Sequence, residues 1–162
     1  MSAAICCMLA IAWSATASEA SVENIVKGTR HESIQQAIDA AANGDVLVAA
    51  PGTYNETVNF AGKAITVRSQ DPNDPGAVAA TIIHGAPVAA VSFVHGEDAR
   101  SVLAGLVISG SPRGVFCNGA APTIFNCRIL DNTGFGIALT AGSAPTLVNC
   151  IIAGNASHGI SL

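Results

Sequence analysis

Charge is scarce in this chain, and what there is leans negative. Only 11% of the residues are charged, with 7 Lys and Arg against 11 Asp and Glu and a formal net charge of −4. A protein that grips nucleic acid needs a basic face, and the sequence offers none. From Ser101 to Leu162 the only formal charges are Arg113, Arg128 and Asp131. Aromatic residues are thin as well, at 4%. Disorder is excluded by the other half of the composition: 50% of the residues are apolar, whereas disordered chains combine low hydrophobicity with high net charge. Several chemical signatures are also missing. There is no nucleophile motif, phosphate-binding loop or dinucleotide fingerprint. The four histidines, His31, His84, His95 and His158, share no metal-ligand spacing. No cofactor is expected.

What the sequence does have is a repeat at a spacing of 22 to 23 residues. Ala121-Pro122-Thr123-Ile124-Phe125-Asn126-Cys127-Arg128-Ile129 returns as Ala144-Pro145-Thr146-Leu147-Val148-Asn149-Cys150-Ile151-Ile152. Gly114-Val115-Phe116-Cys117 returns as Gly136-Ile137-Ala138-Leu139 and as Gly159-Ile160-Ser161-Leu162. A period in the twenties marks a solenoid whose units bury their apolar faces against one another. Alternation gives the inward set: Val115, Cys117, Ile124, Cys127 and Ile129, stacked beneath Ile137, Leu139, Leu147, Cys150 and Ile152, with Ala138 facing outward. Asn126/Asn149 and Asn132/Asn155 fall at corners, where side-chain amides can bond along the stack. Cys127 and Cys150 are repeat-equivalent. In-register side chains on parallel strands point the same way, which disfavours a disulfide, so they read as small core residues.

The chain of 162 residues suits one domain. Residues 1–17 read as an export signal: an apolar core from Ala3 to Trp13, too short to span a membrane, and a small-residue cleavage site at Ala15-Thr16-Ala17. No Lys or Arg precedes that core. Cys6 and Cys7 would leave with it. Residues 18–45 hold a lead-in strand at Asn24-Ile25-Val26 and an amphipathic helix opened by Ser33, with Gln36 at the capping-box position. Its apolar stripe is Ile34, Ala37, Ile38, Ala41 and Ala42, and Asn43-Gly44 stops it. Laid across the end of the stack, this helix would cover apolar side chains and strand edges.

Residues 46–162 hold the coils. Val46-Leu47-Val48, a type II turn at Pro51-Gly52-Thr53-Tyr54, Val58-Asn59-Phe60 and Ile65-Thr66-Val67 make up the first. Asp71-Pro72-Asn73-Asp74-Pro75-Gly76 is a loop by composition. Ile82-Ile83, Val91–Phe93 and Leu103–Ile108 form the second coil, the two clear repeats are the third and fourth, and Gly159 begins a fifth. The terminal coil lacks the polar finish of a capped solenoid, so the sequence reads as the N-terminal piece of a longer protein, with downstream coils to follow.

These residues resemble the right-handed parallel β-helix proteins of the pectin-lyase-like kind. Ser33–Ala41 through Gly44-Asp45 to Pro51-Gly52-Thr53-Tyr54-Asn55-Glu56 is similar to their N-terminal cap and first coil. Gly96-Glu97-Asp98-Ala99 to Gly110 is similar to a second coil, and the Pro-Thr-x-x-Asn-Cys blocks to their repeat. The resemblance implies an all-β solenoid of about 4–5 coils of 21–23 residues with an N-terminal capping helix and an open C-terminal end. It does not select an activity, because this fold hosts lyases, esterases, hydrolases and adhesins.

Set beside the family's enzymes, the candidate chemistry is sparse. Glu56 sits in a segment shared with pectin methylesterases but without their later acid pair, and reads as a structural loop residue. Ser157-His158-Gly159-Ile160-Ser161 resembles a polygalacturonase stretch. Those enzymes add paired aspartates on neighbouring coils, and 132–162 contains no Asp or Glu. Asp71, Asn73 and Asp74 carry oxygen ligands of the kind calcium takes, in a run that is also ordinary turn chemistry. Glu97, Asp98 and Arg100, beside His95, are the densest polar cluster and the only catalytic candidates; a solvated loop with local ion pairing is the plainer reading. Asn55-Glu56-Thr57 and Asn155-Ala156-Ser157 are glycosylation sequons. The expectation is a secreted or cell-envelope scaffold that binds polysaccharide or a cell-surface component, with no nucleic acid partner and no membrane span in the mature chain. The alternative is the N-terminal part of a polysaccharide lyase or hydrolase whose catalytic coils lie further on.

Overall fold

The computed structural model describes residues 21–85 and 87–162; the expected export signal lies outside them. The chain opens with a hairpin, β1 (Val22–Asn24) and β2 (Thr29–His31), then α1 (Ile34–Ala40). Five coils of three strands follow. The first is β3 (Val46–Ala49), β4 (Gly52–Asn55) and β5 (Val58–Asn59). The second is β6 (Thr66–Ser69), helix α2 (Pro75–Ala80), β7 (Thr81–His84) and β8 (Val91–Phe93). The third is β9 (Val102–Ala104), β10 (Val107–Ser109) and β11 (Arg113–Asn118), and the fourth β12 (Thr123–Phe125), β13 (Arg128–Leu130) and β14 (Phe135–Thr140). The fifth is β15 (Thr146–Val148), β16 (Ile151–Ala153) and β17 (Ile160–Ser161). First, second and third strands of successive coils pair in parallel, giving one sheet of seven strands, which includes the antiparallel β1 and β2, and two of five.

The repeat blocks stack in the expected register. Ile124 lies beside Leu147, Ile129 beside Ile152, Val115 beside Ile137 and Cys117 beside Leu139. The lower member of each pair is fully buried. With Phe60, Phe93, Leu103 and Ile108 these residues form one continuous core, each aliphatic contributing about 1.5–3 kcal/mol by its burial. Ala138 is outward by alternation, between Phe116 and Ser161 in the ladder, yet it is only 6% exposed and so is not a free surface position.

Several boundaries differ from the sequence reading. The lead-in strand ends at Asn24, because its side-chain oxygen accepts from the N–H groups of Val26 and Lys27 and turns the chain; Ile25 and Val26 are exposed. Gly52 to Tyr54 is strand rather than turn, and φ at Gly52 is 159°, far from the value near +80° that a type II turn needs. Thr66 lies beside Val46, and Leu103 beside Val67, so β6 opens the second coil and Leu103–Ile108 opens the third. The coil length is not uniform. Thr66 follows Val46 by 20 residues, Val102 follows Thr66 by 36, and Thr123 and Thr146 follow at 21 and 23. The long step holds α2, which a turn-rich composition concealed. Asp74 caps it by accepting from the N–H groups of Gly76 and Ala77, and Pro75 takes the first helical position, where its missing N–H costs nothing.

Helix α1 lies where the apolar stripe required, with Ile34, Ala37 and Ile38 buried in the core. It ends at Ala40, two residues short of the end of the expected stripe, leaving Ala42 exposed. Ser33 accepts from Gln36 N at 3.1 Å. Glu56 completes the cap: its two carboxylate oxygens accept from Ile34 N and Gln35 N, both at 2.9 Å. A carboxylate there satisfies orphan N–H groups and faces the positive end of the helix, which is the structural role expected of Glu56.

Candidate functional site

The two asparagine pairs set the corners. Asn126 and Asn149 both adopt left-handed backbone, φ 51° and 53°, at the bend between the first and second sheets. Asn149 Nδ2 donates to Asn126 Oδ1 at 2.7 Å, and Asn126 Nδ2 donates to Asn73 Oδ1 and Pro72 O at 3.0 Å. At the equivalent bend one coil earlier stands Gly105, where a Cβ would lie 2.4 Å from Pro72 Cα. The α2 loop therefore reaches over Gly105 and is latched by Asn126. The second pair turns inward. Asn132 is 1% exposed, donates to Asn155 Oδ1 at 2.9 Å and to the carbonyls of Ile108 and Leu130, and accepts from Ser111 N.

Asn55 is exposed at the end of β4. Asn155, the other sequon asparagine, has its amide committed to Ile129 O and to Asn132, so a glycan there would break the ladder.

The sequence candidates do not converge on one point. The Glu97 carboxylate is buried and accepts from Gly62 N and His95 N at 2.9 Å. Its backbone oxygen accepts from Ala121 N, so Glu97 pins its loop to the stack. Asp98 and Arg100 turn outward and pair with each other at 2.7 Å. The Arg100 side chain, then its backbone N–H, hold Asp98 below the usual carboxylate range, and Asp98 raises Arg100 in return. Asp71 accepts from Asn73 N, and Asp74 caps α2. One oxygen of Asp71 and both oxygens of Asp74 thus bond the backbone of their own loop. Among the described residues no group of three His, Cys, Asp or Glu is placed to hold a metal ion. The described thiols Cys117, Cys127 and Cys150 are free. Burial pushes Cys117 and Cys127 up to about 12, with the Glu97 charge a lesser cause at Cys117, and raises Cys150 as well.

What does come together is a stripe on the outer face of the third sheet. The Arg113 guanidinium lies over the Phe116 ring, 4.9 Å from its centroid. The rings of Phe135 and His158, one coil apart, are 6.0 Å between centroids and 25° from parallel. Asn118 and Thr140 flank the stripe, with the Thr140 hydroxyl donating to Asn118 Oδ1 at 2.9 Å. No outward position of β11, β14 or β17 carries a carboxylate. The repeat aligns His158 with Phe135; the change of residue type from one coil to the next hides that both are flat rings.

Stacked parallel coils, an N-terminal helical cap and asparagine corners define a parallel β-solenoid. The family model for the right-handed β-helix region matches residues 53–162, and the chain belongs to that family. No curated protein and no solved structure matches the chain.

Proposed function

We propose that this protein is an exported β-helix scaffold that binds polysaccharide, at the cell surface or outside it, along the outer face of the third sheet. The observation that carries the reading is the Arg113–Phe116 and Phe135–His158 stripe. A sugar ring presents C–H groups that pack against the electron-rich faces of aromatic rings, and hydroxyls that a guanidinium and side-chain amides can bond. Rigid strands hold these groups at a fixed rung spacing of about 4.8 Å, which suits an extended polymer. The scattered acids support binding without hydrolysis, since glycoside hydrolysis needs a pair of carboxyl groups flanking one bond.

The test is a panel of acidic and neutral polysaccharides offered to the mature chain, scoring retention together with released reducing or unsaturated ends. Retention without new ends is the expected result. New ends that disappear in Glu97→Gln or Asp98→Asn would overturn it in favour of a lyase or hydrolase. Export is tested by expressing the full chain in a bacterial host and sequencing the N-terminus of the protein found outside the cytoplasm.

A further inference from the structure

Arg128 has no anionic partner among the described residues. It projects from β13 on the outer face of the second sheet, between Val107 and Ile151 in the ladder. Beside it the inserted helix α2 and its leading loop form the wall of a groove of 140 Å³. Asn73, Val78, Asn126, Arg128, Asn149 and Ile151 supply most of its lining, and no acid lines it. The latch that holds the loop also sets the polar groups. Asn73 Oδ1 is taken by Asn126, which leaves the Asn73 amide N–H groups without a partner among the described residues. The nearby acids Asp71 and Asp74 bond the backbone of their own loop, Asp71 through Asn73 N and Asp74 through Gly76 N and Ala77 N, and neither lines the groove.

We propose that this groove is a binding site for a small organic monocarboxylate. The Arg128 fork takes both carboxylate oxygens, a geometry guanidinium matches in two parallel hydrogen bonds. The Asn73 amide adds a third, and the carbon chain lies against Val78 and Ile151. Size selects a small ligand. An enclosed cavity of similar volume holds one benzene ring, so a few carbons fill this groove. Because the guanidinium remains partly solvated, binding is weak and falls as salt rises. The site is on a different sheet from the proposed glycan face and does not depend on it.

The test is a two-dimensional NMR titration of the full chain with butyrate, butyramide and inorganic phosphate at matched ionic strength. Saturable shifts of the Asn73, Asn126 and Asn149 side-chain amides with butyrate alone are expected. Arg128→Gln should weaken butyrate at least tenfold, with Arg128→Lys in between. Ile151→Glu provides a second route, because Ile151 is 54% exposed and a carboxylate there reaches Arg128 in register. It should abolish butyrate binding with the melting temperature unchanged. Equal response to butyramide, equal response to phosphate, or undiminished binding in Arg128→Gln or Ile151→Glu would overturn the proposal.

Discussion

Asn155 Oδ1 accepts two hydrogen bonds from Asn132, one coil below: the side-chain amide at 2.9 Å and the backbone N–H at 3.1 Å. Through Asn132 the same chain of amides reaches Ser111 N and the carbonyls of Ile108 and Leu130. The ladder also explains the glycines of the repeat. A Cβ at Gly114 would lie 2.6 Å from Asn132 Nδ2, and one at Gly136 would lie 2.8 Å from Asn155 Nδ2. The inward amide and the glycine beside it are one device.

Asn132→Leu should therefore cost about 2–4 kcal/mol, since it removes buried hydrogen bonds to Asn155, to Ser111 N and to the carbonyls of Ile108 and Leu130. Gly136→Ala should cost a similar amount by forcing the same contact apart. Chemical denaturation of both variants checks this; a loss below half a kcal/mol in either would show that the ladder does not hold the corner.

Ser69 offers the opposite sign. Its hydroxyl is buried and has no hydrogen-bond partner among the described residues, which penalises the folded state. Ser69→Ala should raise stability by about 1 kcal/mol, read as an upward shift in the denaturant midpoint at constant slope. A fall would mean that the hydroxyl has a partner.

Acid should loosen the cap before the coils. Ala42 N, the Asn24 amide and Lys27 hold the Asp45 carboxyl at about 2, against an ordinary 3.8. A depressed carboxylate adds stability that is complete above the unfolded value and is lost as pH falls through the folded one, so the window runs from about pH 4 down to about pH 2. Asp45→Asn should flatten the pH dependence of melting across that window. An unchanged slope would assign acid sensitivity to another group.

The thiols give a probe of intactness. With Cys117 and Cys127 pushed up to about 12 by burial, neither ionises at pH 8, and thiolate is the reactive form. A disulfide reagent at that pH should label them only after denaturation, while the half-buried Cys150 reacts first. Fast labelling of Cys127 in the native chain would contradict the packed core.

The repeat blocks made the later coils legible because Ile124, Cys127 and Ile129 face the same neighbours as Leu147, Cys150 and Ile152. The early coils were harder to read. Val46, Thr66 and Val102 occupy one column, but the α2 insertion separates the last two by 36 residues and erases the period. Asp74-Pro75 is an N-cap followed by proline at the first helical position, but it sits in a run of Asp, Asn, Pro and Gly whose composition is equally that of a loop. Of the candidate site, Glu97, Asp98 and Arg100 were visible as charges. Their divergence was not, because neighbours in a bent loop point to opposite sides. The Phe135–His158 stack depends on a 23-residue offset that only the folded coil turns into contact.

The glycan face is tested most directly by affinity electrophoresis through gels cast with each polysaccharide, comparing the wild type with Phe135→Ala and Phe125→Ala. Phe125 is outward on the first sheet and serves as the control. The account predicts retardation of the wild type and of Phe125→Ala by at least one polysaccharide, and at least tenfold weaker apparent binding for Phe135→Ala. Equal retardation of all three, or none for the wild type on any polymer, would contradict it.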